Sequence, residues 1–350
     1  MSDFKLATGE ALFAASRGVF ELHGLTRWVQ KGGAFEGKTL ARAEQLSSLC
    51  WHPRLSVIYG TSRAGMDGEI HAWRIDGDGA QTIGEKKSGG AEPCHLVVDP
   101  SGRMLIFTNY TTSTLGIQRL GPDGSFDGEV ETIKLSGGGP EIERQDDAHP
   151  HQAFFVGETL FVIDLGDDSV REFAIDPAKR GAPALTKTRL TRLPAGCGPR
   201  HAVLLPDGRL AISGELGSSL LVGRPGAPGE AWANVPSTAR TGPARTRHRR
   251  NYPGDIQRSV DGRFVYLANR GYDTIATFDV SGAQPLLVSE IDSSVFWPQH
   301  LLVHDDHLLV AGWDSSRVVA MKLEGGVPTP AETIFECAGP GWLLMQTAGI

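Results

Sequence analysis

The stretch Asp261-Gly-Arg-Phe-Val-Tyr-Leu-Ala-Asn-Arg270 decides the fold, because the chain repeats its pattern. A turn made of Asp, Gly and Arg leads into a short apolar strand that ends on a small or polar residue. Clear copies occur at 99–110 and 206–215, and weaker ones at 12–17, 55–61, 160–165 and 308–313. The aligned strand ends are Ser16, Gly60, Asn109, Asp164, Gly214, Asn269 and Gly312. Seven units of about 50 residues, rich in short strands and turn residues, predict a β-propeller.

A second sequence motif marks the strand that comes before this apolar strand in most of the units. It consists of proline, a variable residue and then apolar residues, and it begins at Pro93, Pro150, Pro199, Pro253, Pro298 and Pro340. Proline suits the first residue of a strand, where no ladder donor is needed. These segments are therefore predicted to be the innermost strands, beside the central channel.

The copy at Pro340 has no following repeat of its own, and no inner strand precedes Ser16. We therefore expect the C-terminal strand to complete the blade that the N-terminal strand begins. Such a closure ties the ends of the ring and protects its edges. The predicted fold class is all-β, a seven-bladed β-propeller that occupies residues 1–350 as one domain.

Composition narrows the classes of partner. The 350 residues carry a net charge of -7, which argues against a nucleic-acid binder. No apolar run is long enough to span a membrane and no signal peptide is visible, so we expect a soluble cytoplasmic protein, monomeric by default. The four cysteines form no C-x-x-C pair, so neither a zinc ribbon nor a disulfide framework is expected.

Departures from the repeat point to a site. The residues after the aligned strand ends are Arg17, Thr61, Tyr110, Leu165, Glu215, Arg270 and Trp313. Those after the inner-strand prolines include Cys94, His151, Arg200, Gly254 and Gln299. Equivalent positions of a ring lie at similar heights around one axis, so His151, Arg200, Glu215 and Arg270 are predicted to meet at one mouth of the channel.

The segments 147–152, 162–170, 198–201, 214–216 and 261–271 resemble, in order and spacing, the seven-bladed lactonase family. That family includes propeller 6-phosphogluconolactonases and the fungal carboxy-muconate cycloisomerase. The resemblance implies that His151 is the catalytic histidine, that Arg200 and Arg270 bind substrate, and that Glu215 is the acidic partner.

The chemistry of lactone opening agrees with these residue types. A base must activate water and positive donors must meet the developing oxyanion. His151 titrates near neutrality in its ordinary state and suits the base; Glu215 is the other candidate, or orients the histidine. Arg200 and Arg270 suit a carboxylate or phosphate of the substrate.

Further substrate contacts are predicted at Tyr110, at Arg17 and at four other residues. The four are Asn109, His149, Gln152 and His201. Asn109 and Tyr110 equally fit a turn-and-packing role, and His201 recurs at one blade position with His95 and His300, as structural residues do.

The sequence thus predicts metal-independent hydrolysis of a sugar-acid lactone, with no cofactor and a small anionic or polyhydroxylated lactone as partner. Two alternatives stay open: a lactonising cycloisomerase acting on a muconate-type diacid, and an interaction scaffold without catalysis. A divalent ion near His149 and His151 is a further alternative. The basic segment 240–253 fits a lid over an anionic substrate or a solvated loop.

Overall fold

A computed structural model describes residues 3–17, 23–63, 67–179, 184–227, 231–240 and 250–346. Within these ranges every regular element is a β-strand, and the strands form seven antiparallel sheets. Each sheet is one blade, so the predicted all-β, seven-bladed propeller is confirmed.

The strands follow the chain in the order of the blades. The first three blades contain β1 Ala11–Ser16, β2 Gly24–Lys31 and β3 Ala34–Ala41; β4 Leu46–Trp51, β5 Val57–Ser62, β6 Glu69–Asp76 and β7 Gly79–Lys87; β8 Pro93–Val98, β9 Met104–Asn109, β10 Thr114–Leu120 and β11 Phe126–Lys134. Blades 4 and 5 contain β12 Pro150–Val156, β13 Thr159–Asp164, β14 Ser169–Ile175 and β15 Leu185–Arg192; β16 Pro199–Leu204, β17 Leu210–Gly214, β18 Ser219–Gly223 and β19 Ala233–Pro236. The last two blades and the C-terminal strand contain β20 Tyr252–Arg258, β21 Phe264–Arg270, β22 Thr274–Asp279 and β23 Leu286–Asp292; β24 Pro298–His304, β25 His307–Gly312, β26 Arg317–Glu324, β27 Val327–Pro328 and β28 Glu332–Glu336; and β29 Pro340–Gln346.

The ring closes as predicted. Strand β29 pairs antiparallel with β1, so that Leu343 lies opposite Ala14 and Met345 opposite Leu12. The first blade therefore has the order β29-β1-β2-β3, with its innermost strand supplied by the C-terminal part of the chain. The inner strands of blades 3, 4, 5 and 7 begin at the predicted prolines, and that of blade 6 begins one residue earlier.

The sequence alignment was wrong in the second blade. In the blades that carry the proline, that residue pairs with the aligned strand end, as Pro93 does with Asn109. In blade 2 the equivalent pair is Leu46 with Ser62, whereas Gly60 lies opposite Leu49. Gly60 is a mid-strand residue, and a Cβ there would lie 2.8 Å from the Trp73 ring. A glycine required by this packing was taken for a small strand end, and the residue after the true end is Arg63, not Thr61.

The hydrophobic core lies between neighbouring blades. One cluster joins Leu12 and Leu343 of blade 1 to Leu309 and Val318 of blade 7. Burial on both faces explains why the second strand of each unit is apolar throughout. Over the described ranges no helix is long and apolar enough to cross a membrane. That residues 1–350 form one domain stays a prediction.

Candidate active site

Seven residues surround one mouth of the channel, each following the second strand of its blade or ending it. They are Arg17, Arg63, Tyr110, Leu165, Glu215, Arg270 and Trp313. An equivalent main-chain hydrogen bond in each blade sets their position along the channel axis. The N–H of Glu215 donates to the carbonyl of Gly198 at 2.8 Å, and the N–H of Arg63 donates to that of Gln45 at 3.2 Å. Residues that are far apart in sequence therefore meet around one axis.

A cleft of about 350 Å³ opens between these residues. Its walls come from the ring just described, from the next residues down the channel and from two connecting loops. The lining residues are Arg63, Glu92, Tyr110, Arg144, His151, Arg200, Glu215, Arg270, Trp297, Gln299 and Trp313. All four predicted catalytic residues therefore line one cleft, as their places in the repeat predict.

Glu215 sits among three arginines. Its carboxylate lies 2.6 Å from Arg270 Nη2, 2.8 Å from Arg144 Nη2 and 3.2 Å from Arg200 Nε. Burial raises the pKa of Glu215, but the charges of Arg270, Arg144 and Arg200 outweigh it and lower the pKa to about 2. Glu215 is therefore ionised at neutral pH, and its carboxylate oxygens are engaged by the three guanidinium groups. This disfavours the alternative that it is the base.

Arg200 has hydrogen-bond donors that no described residue accepts from. The side chain is 3% exposed, and neither Nε nor Nη1 has a hydrogen-bond partner among the described residues. Nε is close to Glu215 but is not directed at it. Burial and the nearby charge of Arg270 lower the pKa of Arg200 to about 9. Unpaired buried donors are costly, so a ligand oxygen that meets them is bound favourably.

His151, the second residue of β12, is 6% exposed. Its Nδ1 is buried and has no hydrogen-bond partner in the described part of the chain. Its ring meets Tyr110 edge-on at 5.7 Å and His201 at 5.1 Å between ring centres. Burial, followed by the charge of Arg200, lowers the pKa of His151 well below its ordinary 6.5. The expectation of titration near neutrality is thus corrected: the imidazole is neutral at pH 7 and its unpaired Nδ1 can accept a proton, but the lowered pKa makes it a weaker base than an ordinary histidine.

Tyr110 lines the cleft, and His149 supports it from behind. The two rings stack at 4.5 Å between centres, and the Tyr110 hydroxyl accepts a hydrogen bond from Arg144 Nη2 at 3.1 Å. His149 Nδ1 lies 2.9 Å from the Tyr110 carbonyl, and its Nε2 lies 3.0 Å from Asp146 Oδ1. Both ring nitrogens of His149 are thereby engaged with protein oxygens.

Three other predicted substrate contacts are occupied by the protein itself and do not line the cleft. The Asn109 amide donates to the carbonyl of Ser88 at 3.2 Å, and Gln152 Oε1 accepts from the N–H of Ala202 at 2.6 Å. His201 Nδ1 donates to Asp255 Oδ1 at 2.7 Å, deeper in the channel. These placements favour the structural roles that the sequence left open for Asn109 and His201.

Arg17, another predicted substrate contact, is not among the residues that line the cleft but lies against Trp313, which is. Its guanidinium sits 3.8 Å from the centre of the Trp313 ring, and Nη2 donates to Gln45 Oε1 at 3.2 Å. Both interactions hold the charged group beside the cleft.

The sequence analysis missed two arginines of the cleft. Arg63 was lost through the misalignment of blade 2, and matching Leu46 to the inner-strand prolines would have found it. Arg144 lies in the loop between β11 and β12, where no repeat exists to align. Its role appears only in space, since it bridges Tyr110 and Glu215.

No group of three or more His, Cys, Asp or Glu side chains within the described ranges is placed to hold a metal ion. Most of the basic segment, residues 241–249, lies outside the described residues. Of its ends, Arg240 lies 3.5 Å from Glu290 and Arg250 lies 3.9 Å from Glu141.

Known proteins share both sequence and fold with this chain. Residues 22–345 match the family model described as lactonase, 7-bladed β-propeller. The chain is 26% identical over 277 residues to a 6-phosphogluconolactonase of Bacillus subtilis, a match that covers 77% of each chain. It is 25% identical over 314 residues to a 6-phosphogluconolactonase of Erwinia tasmaniensis, which covers 86% of this chain and 88% of the relative.

Two solved structures have the same fold. A protein of Lactobacillus plantarum superposes with a TM-score of 0.84 at 23% identity, over 97% of this chain and 99% of that one. The periplasmic gluconolactonase of Pseudomonas aeruginosa superposes with a TM-score of 0.79 at 22% identity, over 97% and 99%.

Proposed function

Because this chain belongs to the seven-bladed β-propeller lactonase family, we propose that it hydrolyses a sugar-acid lactone by metal-independent acid–base catalysis. One observation carries the proposal. A neutral, buried histidine and an arginine with unpaired donors, His151 and Arg200, line the same cleft. The names of the relatives from Bacillus subtilis and Erwinia tasmaniensis support a lactone as substrate.

In the proposed reaction His151 acts as the base. It takes a proton from water while the water oxygen bonds to the lactone carbonyl carbon. The ring C–O bond then breaks, and the proton passes from His151 to the departing ring oxygen. The product is a hydroxy acid, which ionises to its carboxylate. A positioned base of this kind contributes about 10²–10⁴ in rate.

The arginines stabilise the charge that develops on the carbonyl oxygen. Arg200 Nη1 has no protein partner among the described residues, and Arg270 lies beside it with its Nη2 on Glu215. Donors fixed before the reaction lower the barrier because they need no reorientation when the oxyanion forms, and each contributes about 10²–10³. Glu215 does not transfer a proton in this scheme. Its ionised carboxylate holds the arginines in place and offsets their mutual repulsion.

The first experiment measures lactone consumption with spontaneous hydrolysis subtracted. The panel contains gluconolactone, 6-phosphogluconolactone, galactonolactone and muconolactone, each with and without EDTA. We expect hydrolysis that EDTA leaves unchanged. Loss of activity in EDTA would show that hydrolysis depends on a metal ion and would overturn metal-independent catalysis. If no lactone is opened but a muconate-type diacid is closed to a lactone, the cycloisomerase alternative replaces hydrolysis.

Variants test the assigned roles. His151→Ala and Arg270→Ala are each expected to lower kcat by about a hundredfold or more. His307→Ala is the matched control, because this buried histidine contacts Asp3 and Asp306 away from the cleft. Full activity of either cleft variant would refute the mechanism as written.

A cytoplasmic location and a monomeric state complete the proposal. Cell fractionation and size-exclusion chromatography coupled to light scattering test them directly. Activity recovered in a periplasmic fraction, or a mass of twice that of the chain, would overturn the respective statement.

A further inference from the structure

The cleft has more positive than negative charge on both of its sides. Arg144, Arg200 and Arg270 share the carboxylate of Glu215. Arg17 and Arg63 belong to the neighbouring blades 1 and 2, whereas Glu215 belongs to blade 5. Within the described ranges, the carboxylate of Glu92 acts on both of them.

Glu92 offsets little of this charge. Arg63 Nη1 reaches its Oε1 only at 4.0 Å, and in the described part of the chain no carboxylate forms an ion pair with Arg17. The Glu92 side chain is 47% exposed, and its Oε2 accepts a hydrogen bond from the Thr111 hydroxyl. Solvent screens a contact of this kind, so its contribution is small. Arg63 lines the cleft, Arg17 lies beside it against Trp313, and Glu92 compensates the charge of these two guanidinium groups only weakly.

The fold nevertheless holds these two groups in place. Arg17 is stacked on Trp313 and bonded to the Gln45 side chain, while the main chain of Arg63 is bonded to the Gln45 carbonyl. The Nε atoms of Arg17 and Arg63 are both buried, without a hydrogen-bond partner among the described residues. Burial and the charge of Arg63 lower the pKa of Arg17 to about 9. An anion bound between them would remove this repulsion and satisfy donors.

We propose that Arg17 and Arg63 form a subsite for the phosphate group of a phosphorylated sugar lactone, whose ring lies at His151 and Arg200 across the same cleft. The position of the ring rests on the proposed function, whereas the binding of the anion does not. Two guanidinium groups that share only the weak contact of Glu92 suit the negative charge and the three acceptor oxygens of a phosphate monoester.

The cleft is of a size for such a ligand. At about 350 Å³ it lies at the lower end of the range of small-molecule sites. The charge of Arg63 acts on His151, contributing to the lowered pKa of that imidazole, so the two groups lie within electrostatic reach of each other. One ligand can therefore meet the phosphate subsite and the reacting groups together.

Binding of a stable product tests the subsite without catalysis. Titration calorimetry compares 6-phosphogluconate with gluconate, which lacks the phosphate. We expect the wild-type protein to bind 6-phosphogluconate about ten- to hundredfold more tightly. Arg17→Met and Arg63→Met should each remove most of this preference, and Arg63→Lys should retain part of it. Equal affinity of the wild-type protein for the two acids would overturn the subsite.

The control variant is Arg74→Met. Arg74 is a half-exposed arginine of blade 2 that pairs with Asp123 at 3.2 Å outside the cleft. It should keep the full preference for 6-phosphogluconate. If Arg74→Met lowers the preference as much as Arg63→Met does, net charge rather than a subsite explains the binding, and the proposal fails.

Kinetics separates this proposal from the proposed function. The measured quantity is the ratio of kcat/KM for 6-phosphogluconolactone to that for gluconolactone, which should fall about tenfold or more in Arg17→Met and Arg63→Met. Hydrolysis with a ratio unchanged by both variants would refute the subsite and leave the lactonase standing. Phosphate-dependent binding without hydrolysis of any lactone would refute the lactonase and leave the subsite standing.

Discussion

Replacing Glu215 by glutamine removes the carboxylate that three arginines share while keeping the shape of the side chain. The wild-type contacts lower its pKa from 4.5 to about 2. A lowered pKa stabilises the folded state above the unfolded pKa, and this stabilisation is lost as the pH falls towards the folded value. At about 1.4 kcal/mol per pKa unit, the shift corresponds to about 3 kcal/mol at pH 7. Breaking a buried ion pair by removing one partner costs about 3–5 kcal/mol, which agrees.

Urea unfolding at pH 7, followed by tryptophan fluorescence, measures this loss. Glu92→Gln is the matched control, because the same change at the exposed rim should cost less than about 1 kcal/mol. The difference between wild type and Glu215→Gln should shrink as the pH falls below about 4.5. A Glu215→Gln protein as stable as the wild type, or a Glu92→Gln protein that loses as much, would refute the account of the arginine cluster.

Three further predictions concern the ring closure, acid stability and the arginine that the sequence missed. Leu343→Ala should lower the unfolding free energy by about 2–5 kcal/mol, because Leu343 is 1% exposed and packs between blades 1 and 7. The control Leu286→Ala, at a site that is 64% exposed, should change the unfolding free energy little. An unchanged melting temperature of Leu343→Ala would contradict the ring closure. Burial lowers the pKa of His201 from 6.5 to about 4, so its stabilising contribution is present above pH 6.5 and is lost as the pH falls towards 4. Calorimetry at successive pH values should therefore show a falling melting temperature in this window, and a constant one would count against the buried, neutral imidazole. Arg144→Ala removes one of the three partners of Glu215 and should lower kcat/KM for gluconolactone about tenfold. Arg144→Lys should recover part of this loss. A kcat/KM of Arg144→Ala equal to that of the wild type would mean that Arg144 does not position Glu215.

The sequence was sufficient to predict the propeller fold because the signals for its strands and turns lie within short segments of the chain. The turn at 261–263 recurs clearly in two other units and the apolar strand after it in every unit, and strand periodicity and turn chemistry act over a few residues. The exception is Gly60. By residue type alone it resembles the end of a strand. Only the packing of the Trp73 ring of β6 against Gly60 of the neighbouring strand β5 shows that Gly60 lies in the middle of a strand.

The same local signal predicted which residues meet, since a ring brings equivalent positions together. It placed His151, Arg200, Glu215 and Arg270 around one mouth, and all four line one cleft. It had no means of placing Arg144, because a connecting loop has no counterpart in the other blades.

What each residue does there depends on its neighbours from other blades. Glu215 is disfavoured as the base because Arg144, Arg200 and Arg270 engage its carboxylate oxygens and lower its pKa. His151 is neutral at pH 7 because it is buried beside Arg200. The sequence by itself determined the seven blades, their closure and the meeting of His151, Arg200, Glu215 and Arg270 at one mouth. Only the tertiary structure decided their protonation and pairing, because burial and Coulomb interactions act through space between segments that the chain keeps far apart.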